Sequence, residues 1–208
     1  MPNNTLFLAS KSPRRQQLLT DLGYEVRVIA SHAYTLRAFE GDEVVLENES
    51  PEDYVIRTAK NKFLEGLDVK ANGGFAGVHL PVVAADTVVS LHEEILGKPR
   101  DTEEAKLFLR KLSGKTHEVR TAVFVGMSAD DFDWRVNRST VTFRELSERE
   151  INLYVKSGEP FDKAGGYGIQ GLASIFIAKI EGSFTGIMGL PLYETAELLA
   201  RYHLPVLR

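Results

Sequence analysis

Residues 6–15 of the chain read LFLASKSPRR, and this stretch predicts a strand that turns directly into a helix. The four apolar residues 6–9 are typical of a short buried strand. Ser12 is suited to cap a helix, and Pro13 is suited to its first position. We expect this helix to run to about Leu22. Its first turn carries two basic residues, although the helix macrodipole favours acidic side chains there.

These basic residues, Arg14 and Arg15, point to an anion-binding site. Backbone N–H groups, two serine hydroxyls (Ser10 and Ser12) and two guanidiniums at one strand-to-helix turn suit a phosphate. The simpler alternative is that both arginines lie in solvent, at a cost of roughly a few tenths of a kcal/mol each. Other predicted helix starts carry acidic first turns in patterns that resemble capping boxes, after Ser50, Asp101 and Ser147.

The composition bounds the class of protein. The chain has 208 residues and 43% apolar content, enough for one substantial core that can be built in two lobes. Its net charge of −4 argues against a nucleic-acid-binding surface, and the absence of cysteine excludes disulfides and thiolate metal sites. No apolar run approaches the roughly 18 residues that span a bilayer, and no secretory signal is visible. We therefore expect a cytoplasmic protein with no nucleic-acid or membrane partner.

The order of predicted elements indicates an α/β protein. After the first strand and helix, we predict strands at 25–29, 81–91, 116–127, 132–143 and 174–180. We predict further helices at 51–64, 101–112, 147–156 and 191–201, and loops at 31–48 and 182–189. Strand–helix units that flank a long hairpin imply a mixed sheet with helices packed on it.

Asp86 is the strongest candidate for chemistry. It lies inside a nearly continuous apolar strand, where a carboxylate is costly unless it is paired, bound to a metal or catalytic. A structural aspartate paired with an arginine is the alternative. Lys98 returns to the same cleft if residues 88–96 form a short hairpin, and otherwise it is a solvated turn lysine. Lys62 comes late on its predicted helix, where an interaction with the helix C-terminus explains it equally well.

A glycine-rich segment follows the predicted helix at 147–156 in the sequence and does not open a helix of its own. Residues 166–171 read GYGIQG and match G-x-G-x-x-G, but a dinucleotide fingerprint must follow a strand and open a helix. Here a helix and a loop precede the match and a strand follows it, so we reject that function. The glycines still allow a ligand to approach closely, with Gln170 among them. The histidine spacing does not indicate a metal site, and Ser10 and Ser12 lack a His/Asp relay.

Taken together, five blocks resemble the Maf family of nucleotide pyrophosphatases: residues 10–15, 85–87, 97–99, 112–114 and 157–171. Segments 182–183 and 189–192 fit as well, so the resemblance covers nearly the whole chain as a single domain, 1–208. It implies a homodimeric α/β fold related to inosine-triphosphate pyrophosphatases, with an elongated, twisted mixed sheet and two lobes around a central cleft. It also implies hydrolysis of a nucleoside triphosphate to monophosphate and pyrophosphate, assisted by Mg²⁺ or Mn²⁺.

The resemblance assigns roles to individual residues. Asp86 falls on the family's catalytic acid/base position and would also contact the metal. Arg14, Thr87 and Gln170 fall on positions that separate a dTTP/UTP subgroup from a sister group acting on 7-methyl-GTP. That sister group carries an aromatic residue, Gln and Glu at these positions, so the resemblance implies dTTP and UTP as substrates.

The residues and the resemblance together suggest a division of labour. The expected triphosphate-binding groups are Ser10, Ser12, Arg14 and Arg15. Asp86 with a divalent ion would activate water against the α-phosphorus, and Lys98 and Lys62 would neutralise charge on the leaving pyrophosphate.

The chain departs from the family pattern at one place. The family usually carries an Asp-Glu pair just after its second strand, whereas residues 31–35 here read SHAYT. We expect one of Glu40, Asp42 and Glu43 in the longer loop to supply the second carboxylate. Two alternative functions stay open. One is a nucleotide-binding regulator of cell division with little catalysis, which the missing pair favours, and the other is an enzyme that clears inosine or xanthosine triphosphate.

Overall fold

The computed structural model describes residues 4–29 and 44–206. Its strands are, in chain order, β1 (Thr5–Leu8), β2 (Glu25–Val28), β3 (Val82–Leu91), β4 (Glu94–Leu96), β5 (Thr116–Gly126), β6 (Phe132–Phe143) and β7 (Ile177–Glu181). Its α-helices are α1 (Pro13–Asp21), α2 (Pro51–Asn72), α3 (Thr102–Leu112), α4 (Glu148–Lys156), α5 (Phe184–Met188) and α6 (Leu192–Arg201). Short 3₁₀ helices span Glu159–Asp162, Ala164–Gly166 and Leu172–Phe176.

The strands form one mixed sheet of seven strands, in the order β2-β1-β3-β5-β6-β7 with β4 paired to β3. β1 runs parallel to β2 and to β3, whereas β3, β5, β6 and β7 pair antiparallel. The long β5–β6 hairpin extends from the Thr116–Thr142 pair to the Gly126–Phe132 pair. The predicted fold class, a mixed sheet flanked by helices, is confirmed.

The start of the chain folds as its sequence predicts. β1 leads into α1, whose N-cap Ser12 accepts a hydrogen bond from the Arg15 backbone N–H, with Pro13 in the first position. Ser147 forms a complete capping box with Glu150 at the start of α4. Capping residues therefore mark where both helices begin, and Ser12 places the first turn of α1 shortly after the end of β1.

Two hydrophobic clusters cover the opposite faces of the sheet. Successive strand residues point to opposite faces, so Leu8 of β1 packs in the cluster with α1 and α6, while Phe7 packs against α2. Gly66 lets α2 approach β1 closely, because a Cβ at this position would lie 2.5 Å from the Cβ of Ala9. A third cluster joins α3 and α4 to the β3–β4 hairpin through residues such as Leu109.

Three predicted boundaries are wrong. α2 continues from residue 64 to Asn72, because Val69 is still buried against the sheet. Residues 174–180 begin as a 3₁₀ helix, and β7 starts at Ile177. The predicted loop 182–189 contains α5, which Ser183 caps and which is too short for its periodicity to be visible. Of the predicted loop 31–48, residues 44–48 contain no helix or strand, and the rest lies outside the described residues.

No helix within the described ranges is both long enough and apolar enough to cross a membrane.

Candidate active site

A cleft of about 730 Å³ lies where the turn after β1, the middle of β3 and the segment after α4 face one another. Nine site residues predicted from the sequence line this cleft: Ser10, Ser12, Arg14, Arg15, Lys62, Asp86, Thr87, Lys98 and Gln170. Residues up to 160 positions apart in the chain (Ser10 to Gln170) therefore meet on one surface. The fold brings the predicted groups together, while their individual roles depend on the contacts described below.

Asp86 and Lys62 form a buried ion pair at the floor of the cleft. Lys62 Nζ donates to Asp86 Oδ1 at 2.7 Å, and the two residues are only 3% and 7% exposed. Because α2 continues to Asn72, Lys62 lies in the middle of the helix. The alternative that Lys62 serves the helix C-terminus is therefore wrong.

The surroundings of Asp86 keep its carboxylate charged. Burial alone would raise the pKa of Asp86, but the charges of Lys62 and Arg15, with hydrogen bonds from Lys62 and Thr58, outweigh burial and lower the pKa below the ordinary aspartate value. The stability gained from this depressed pKa is present above the unfolded-state pKa, and it is lost as pH falls through the folded-state pKa. At neutral pH the cleft thus contains an ionised carboxylate.

Arg15 points inward and joins three parts of the chain. Its Nε donates to the Gly189 carbonyl at 2.7 Å, Nη1 donates to Ser10 Oγ at 3.2 Å, and Nη2 donates to Thr87 Oγ1 at 3.2 Å. Arg15 is only 8% exposed. The alternative that both arginines lie in solvent is wrong for Arg15, because its guanidinium is buried and bonded to neighbouring elements.

Arg14 differs from Arg15 although it is the next residue. Its side chain is 38% exposed and lies 3.8 Å from the carboxylate of Asp162 at the edge of the cleft. An exposed ion pair of this length contributes little to stability. Arg14 is therefore the arginine of the pair that can turn to an incoming anion at small cost.

The two serines of this turn hold its shape. Ser10 Oγ accepts hydrogen bonds from the Ser12 backbone N–H at 3.2 Å and from Arg15. Ser12 Oγ accepts from the Arg15 backbone N–H at 3.4 Å. Both serines line the cleft, but their oxygens already act as acceptors within the loop. Each hydroxyl proton can still be donated to a phosphate oxygen.

Thr87 belongs to a directional chain of hydrogen bonds. Thr121 Oγ1 donates to the Gly186 carbonyl at 2.8 Å, so its proton is not available to Thr87, 2.9 Å away. Thr87 must then donate to Thr121 while it accepts from Arg15. The Thr87 hydroxyl thus already acts as both a donor and an acceptor inside the protein.

Lys98 and Gln170 come from the opposite side of the cleft. β4 pairs with β3 through Val89–Leu96, which forms the short hairpin that brings exposed Lys98 back to the cleft. Gly165 N–H donates to the Gly97 carbonyl at 2.9 Å and joins this turn to the glycine-rich segment. Gln170 is exposed, and its amide makes no hydrogen bond to another described residue.

Sequence reasoning missed Glu159 and Lys163, which also line the cleft. Lys163 Nζ donates to the Glu159 carbonyl at 2.8 Å and pairs with Asp162. Burial would raise the pKa of Asp162, but Lys163 and Arg14 lower it overall. Residues 157–163 carry three charged side chains just before the glycines, and this cluster was the signal that could have identified the group.

The fit to a divalent metal depends on Asp86. In residues 4–29 and 44–206 there is no cluster of three or more His, Asp or Glu side chains able to hold a metal ion by themselves. Mg²⁺ is commonly held by one or two carboxylates together with substrate phosphates. The ionised Asp86 fits that limited role. Glu40, Asp42 and Glu43, the expected source of a second carboxylate, lie outside the described residues.

These contacts define an α/β protein with a cleft in which lysines, an outward arginine and a helix N-terminus surround one ionised carboxylate. This arrangement is suited to a phosphorylated ligand. The sequence profile described as "Maf-like protein" matches residues 5–202. The chain belongs to the Maf family.

Curated relatives agree with this assignment over almost their full length. The chain is 46% identical to the "dTTP/UTP pyrophosphatase" of Neisseria meningitidis, and the aligned region covers 94% of this chain and 93% of that relative. It is 44% identical to the "dTTP/UTP pyrophosphatase" of Dechloromonas aromatica, over 94% and 96%. It is 45% identical to the "Nucleoside triphosphate pyrophosphatase" of Haemophilus ducreyi, over 97% of both chains.

Among solved structures, the chain resembles a nucleoside-triphosphatase / dITP/XTP pyrophosphatase from Mycobacterium abscessus. The TM-score is 0.40 and the sequence identity is 15%, over 98% of this chain and 100% of the other. Because this likeness is distant, the assignment rests on the family profile and the curated relatives.

Proposed function

We propose that this protein hydrolyses dTTP and UTP to the nucleoside monophosphate and pyrophosphate. The observation that carries the proposal is the buried Lys62–Asp86 pair, with Nζ–Oδ1 at 2.7 Å, on the floor of a cleft whose rim is cationic. Relatives named dTTP/UTP pyrophosphatase, at 44% and 46% identity over nearly their whole length, support the substrate and the reaction.

The triphosphate would be bound by the side of the cleft that begins at β1. The backbone N–H groups at the start of α1 suit phosphate oxygens, and Arg14 can exchange its exposed contact with Asp162 for a phosphate. Arg15 would act mainly by fixing this turn against Gly189 and Thr87. The fixed turn then holds the triphosphate in one orientation relative to Asp86.

Asp86 is suited to accept the proton of the attacking water. The oxygen of that water would form a bond to the α-phosphorus, the bond to the bridging oxygen would break, and pyrophosphate would leave with the electron pair. Phosphates near Lys62 would compete with Asp86 for the Lys62 ammonium group. Their negative charge would also raise the pKa of Asp86. The substrate would therefore make Asp86 a stronger base than it is in the free protein, while Lys62 and Lys98 neutralise charge on the leaving group.

We also propose that a divalent cation, Mg²⁺ or Mn²⁺, takes part. When bound, it would neutralise phosphate charge and polarise the phosphoryl group. Asp86 would be its ligand among the described residues, and one of Glu40, Asp42 and Glu43 would supply a second carboxylate. A homodimer, as the family resemblance implies, and a cytoplasmic location are part of the same proposal. Sedimentation of the purified protein tests the homodimer.

Gln170 would read the base. Uracil and thymine present O4 as an acceptor and N3–H as a donor, which the two ends of one amide can match together. Guanine instead presents N1–H and an amino group, two donors that suit a carboxylate. The exposed Gln170 amide, in a glycine-rich segment beside the cleft, is therefore suited to select pyrimidines.

The experiment that tests the proposal measures kcat/KM and identifies products for UTP, dTTP, GTP, 7-methyl-GTP, ITP and XTP, each with Mg²⁺, with Mn²⁺ and with chelator. We expect UTP and dTTP to react fastest and to yield monophosphate and pyrophosphate. Hydrolysis in ¹⁸O-labelled water should place the label in the monophosphate, because water attacks the α-phosphorus.

Each alternative has its own result in this assay. Faster turnover of ITP or XTP would replace the pyrimidine assignment with clearance of inosine or xanthosine triphosphate. Tight nucleotide binding with negligible turnover under all metal conditions would favour a nucleotide-binding regulator. Release of orthophosphate and a nucleoside diphosphate would contradict pyrophosphatase chemistry altogether.

A further inference from the structure

The segment that carries Gln170 is anchored by a second pair of side chains, Glu159 and Tyr154. Glu159 Oε2 accepts a hydrogen bond from the Leu172 backbone N–H at 2.8 Å, and Oε1 lies 3.4 Å from the Ala173 backbone N–H. No side chain of the segment itself caps the 3₁₀ helix that starts at Leu172. The Glu159 carboxylate, thirteen residues earlier in the chain than Leu172, therefore binds the backbone two residues after Gln170.

Tyr154 completes this anchor from α4. Its hydroxyl donates to Glu159 Oε1 at 3.1 Å, and its ring is buried and packs edge-on against Phe176. Burial and the Glu159 charge raise the pKa of Tyr154, so the hydroxyl stays protonated as a donor. The pair thus holds the backbone on the C-terminal side of Gln170.

Gly171 shows how closely the two parts pack. A Cβ built on Gly171 would lie 2.2 Å from Glu159 Oε1 and 2.6 Å from Oε2. Any side chain here would displace the carboxylate, so this glycine is needed for close approach of the backbone. The contact leaves the Gln170 backbone little freedom to shift relative to α4.

We propose that Tyr154 and Glu159 are positioning residues for base selection, because they fix the backbone that aims the Gln170 amide into the cleft. The inference rests on the proposed function for the identity of the selected base. Glu159 donates no proton and contacts no phosphate in this role. Its effect passes through Gln170, which is the residue that would touch the substrate.

The first test needs no substrate. Hydrogen exchange of backbone amides is compared between the wild type, Glu159→Gln and Tyr154→Phe, with Glu148→Gln and Tyr193→Phe as matched controls. Glu148 and Tyr193 are exposed residues with surface partners. We expect exchange in residues 168–173 to rise about tenfold in both test variants, with no such change in the controls. Unchanged exchange in this segment would overturn the proposal, whatever the protein hydrolyses.

The second test asks whether the effect passes through Gln170. We expect Glu159→Gln and Tyr154→Phe to lower the ratio of kcat/KM for UTP over GTP by about tenfold or less, since a hydrogen-bond contribution of 1.4 kcal/mol corresponds to a factor of about ten. In a Gln170→Ala background the same substitutions should lower the ratio no further. Equal losses in both backgrounds would show a merely structural role and contradict the inference.

Failure of the proposed function would look different. If the wild type prefers a purine nucleotide, the pyrimidine assignment is wrong, and the same comparison is made with the preferred and least preferred nucleotides. Loss of that preference in Glu159→Gln, but not in its Gln170→Ala background, would still support positioning. A protein without any base preference would leave nothing for the pair to position and would overturn the inference.

Discussion

Replacing Arg15 with alanine removes a buried guanidinium that connects α1, β3 and the end of α5. The guanidinium donates to Gly189, Ser10 and Thr87 at 2.7, 3.2 and 3.2 Å. Replacing Arg14 instead removes a half-exposed side chain whose acidic neighbour is 3.8 Å away. Two consecutive arginines therefore provide a matched comparison between a residue that holds the site together and one that is free to meet the ligand.

The magnitude follows from these contacts. A hydrogen bond that involves a charged group contributes about 1.5–3 kcal/mol, but water from the cleft can replace part of what Arg15→Ala removes, so we expect a net loss of about 3 kcal/mol. For a protein of this size that corresponds to a fall in Tm of roughly 6–12 °C. Arg14→Ala should change stability by about 0–1 kcal/mol, as is usual for an exposed ion pair.

The assay is urea unfolding of both variants without nucleotide, followed by kcat/KM for UTP. Arg15→Ala should lose stability and activity together, whereas Arg14→Ala should lose activity with its unfolding free energy nearly unchanged. An Arg15→Ala variant within about 0.5 kcal/mol of the wild type, the range usual for surface substitutions, would refute the anchoring role.

Further predictions concern the cleft floor, the base and the sheet. Lys62→Met removes the positive charge that lowers the pKa of Asp86, so this pKa should rise. The acid limb of the profile of kcat/KM against pH should then move to higher pH, and an unshifted limb would contradict the pairing. Gln170→Glu should lower kcat/KM for UTP and dTTP about tenfold to a hundredfold and affect guanine nucleotides less, whereas equal losses would show that it does not read the base. In Gly66→Ala the new methyl would lie 2.5 Å from the Cβ of Ala9. Urea unfolding should then show a loss of about 1–3 kcal/mol, and an unchanged stability would mean that α2 can move away.

Features set by nearby residues were predictable from the sequence. The start of α1 follows from Ser12 and Pro13, and the central strand follows from the apolar run around Asp86. The apolar run predicted that this carboxylate is buried, which made it a site candidate, and the structure confirms the burial. In these cases the physical cause lies within about ten residues of the feature.

Features that depend on distant partners were not predictable. Arg14 and Arg15 look alike in the sequence, yet successive helix positions point about 100° apart, and only the second faces Gly189, which is 174 residues away. The end of α2 was misplaced because Val69 is buried by contacts with distant strands. Glu159 was missed since its backbone partners come thirteen residues later, after a segment whose path the glycines leave open.

In the proposed reaction, Asp86 is the base for hydrolysis of pyrimidine nucleoside triphosphates in this cleft. The most direct measurement compares pyrophosphate release from UTP and dTTP by the wild type and by Asp86→Asn, with thermal unfolding of both proteins as the control for folding. Asparagine keeps the size of the side chain and can still accept a hydrogen bond from Lys62, but it removes the base and the negative charge. We expect the variant to be folded and its turnover to fall by roughly 10²–10⁴. A folded Asp86→Asn protein that retains more than about a tenth of wild-type turnover, well outside that range, would contradict the account.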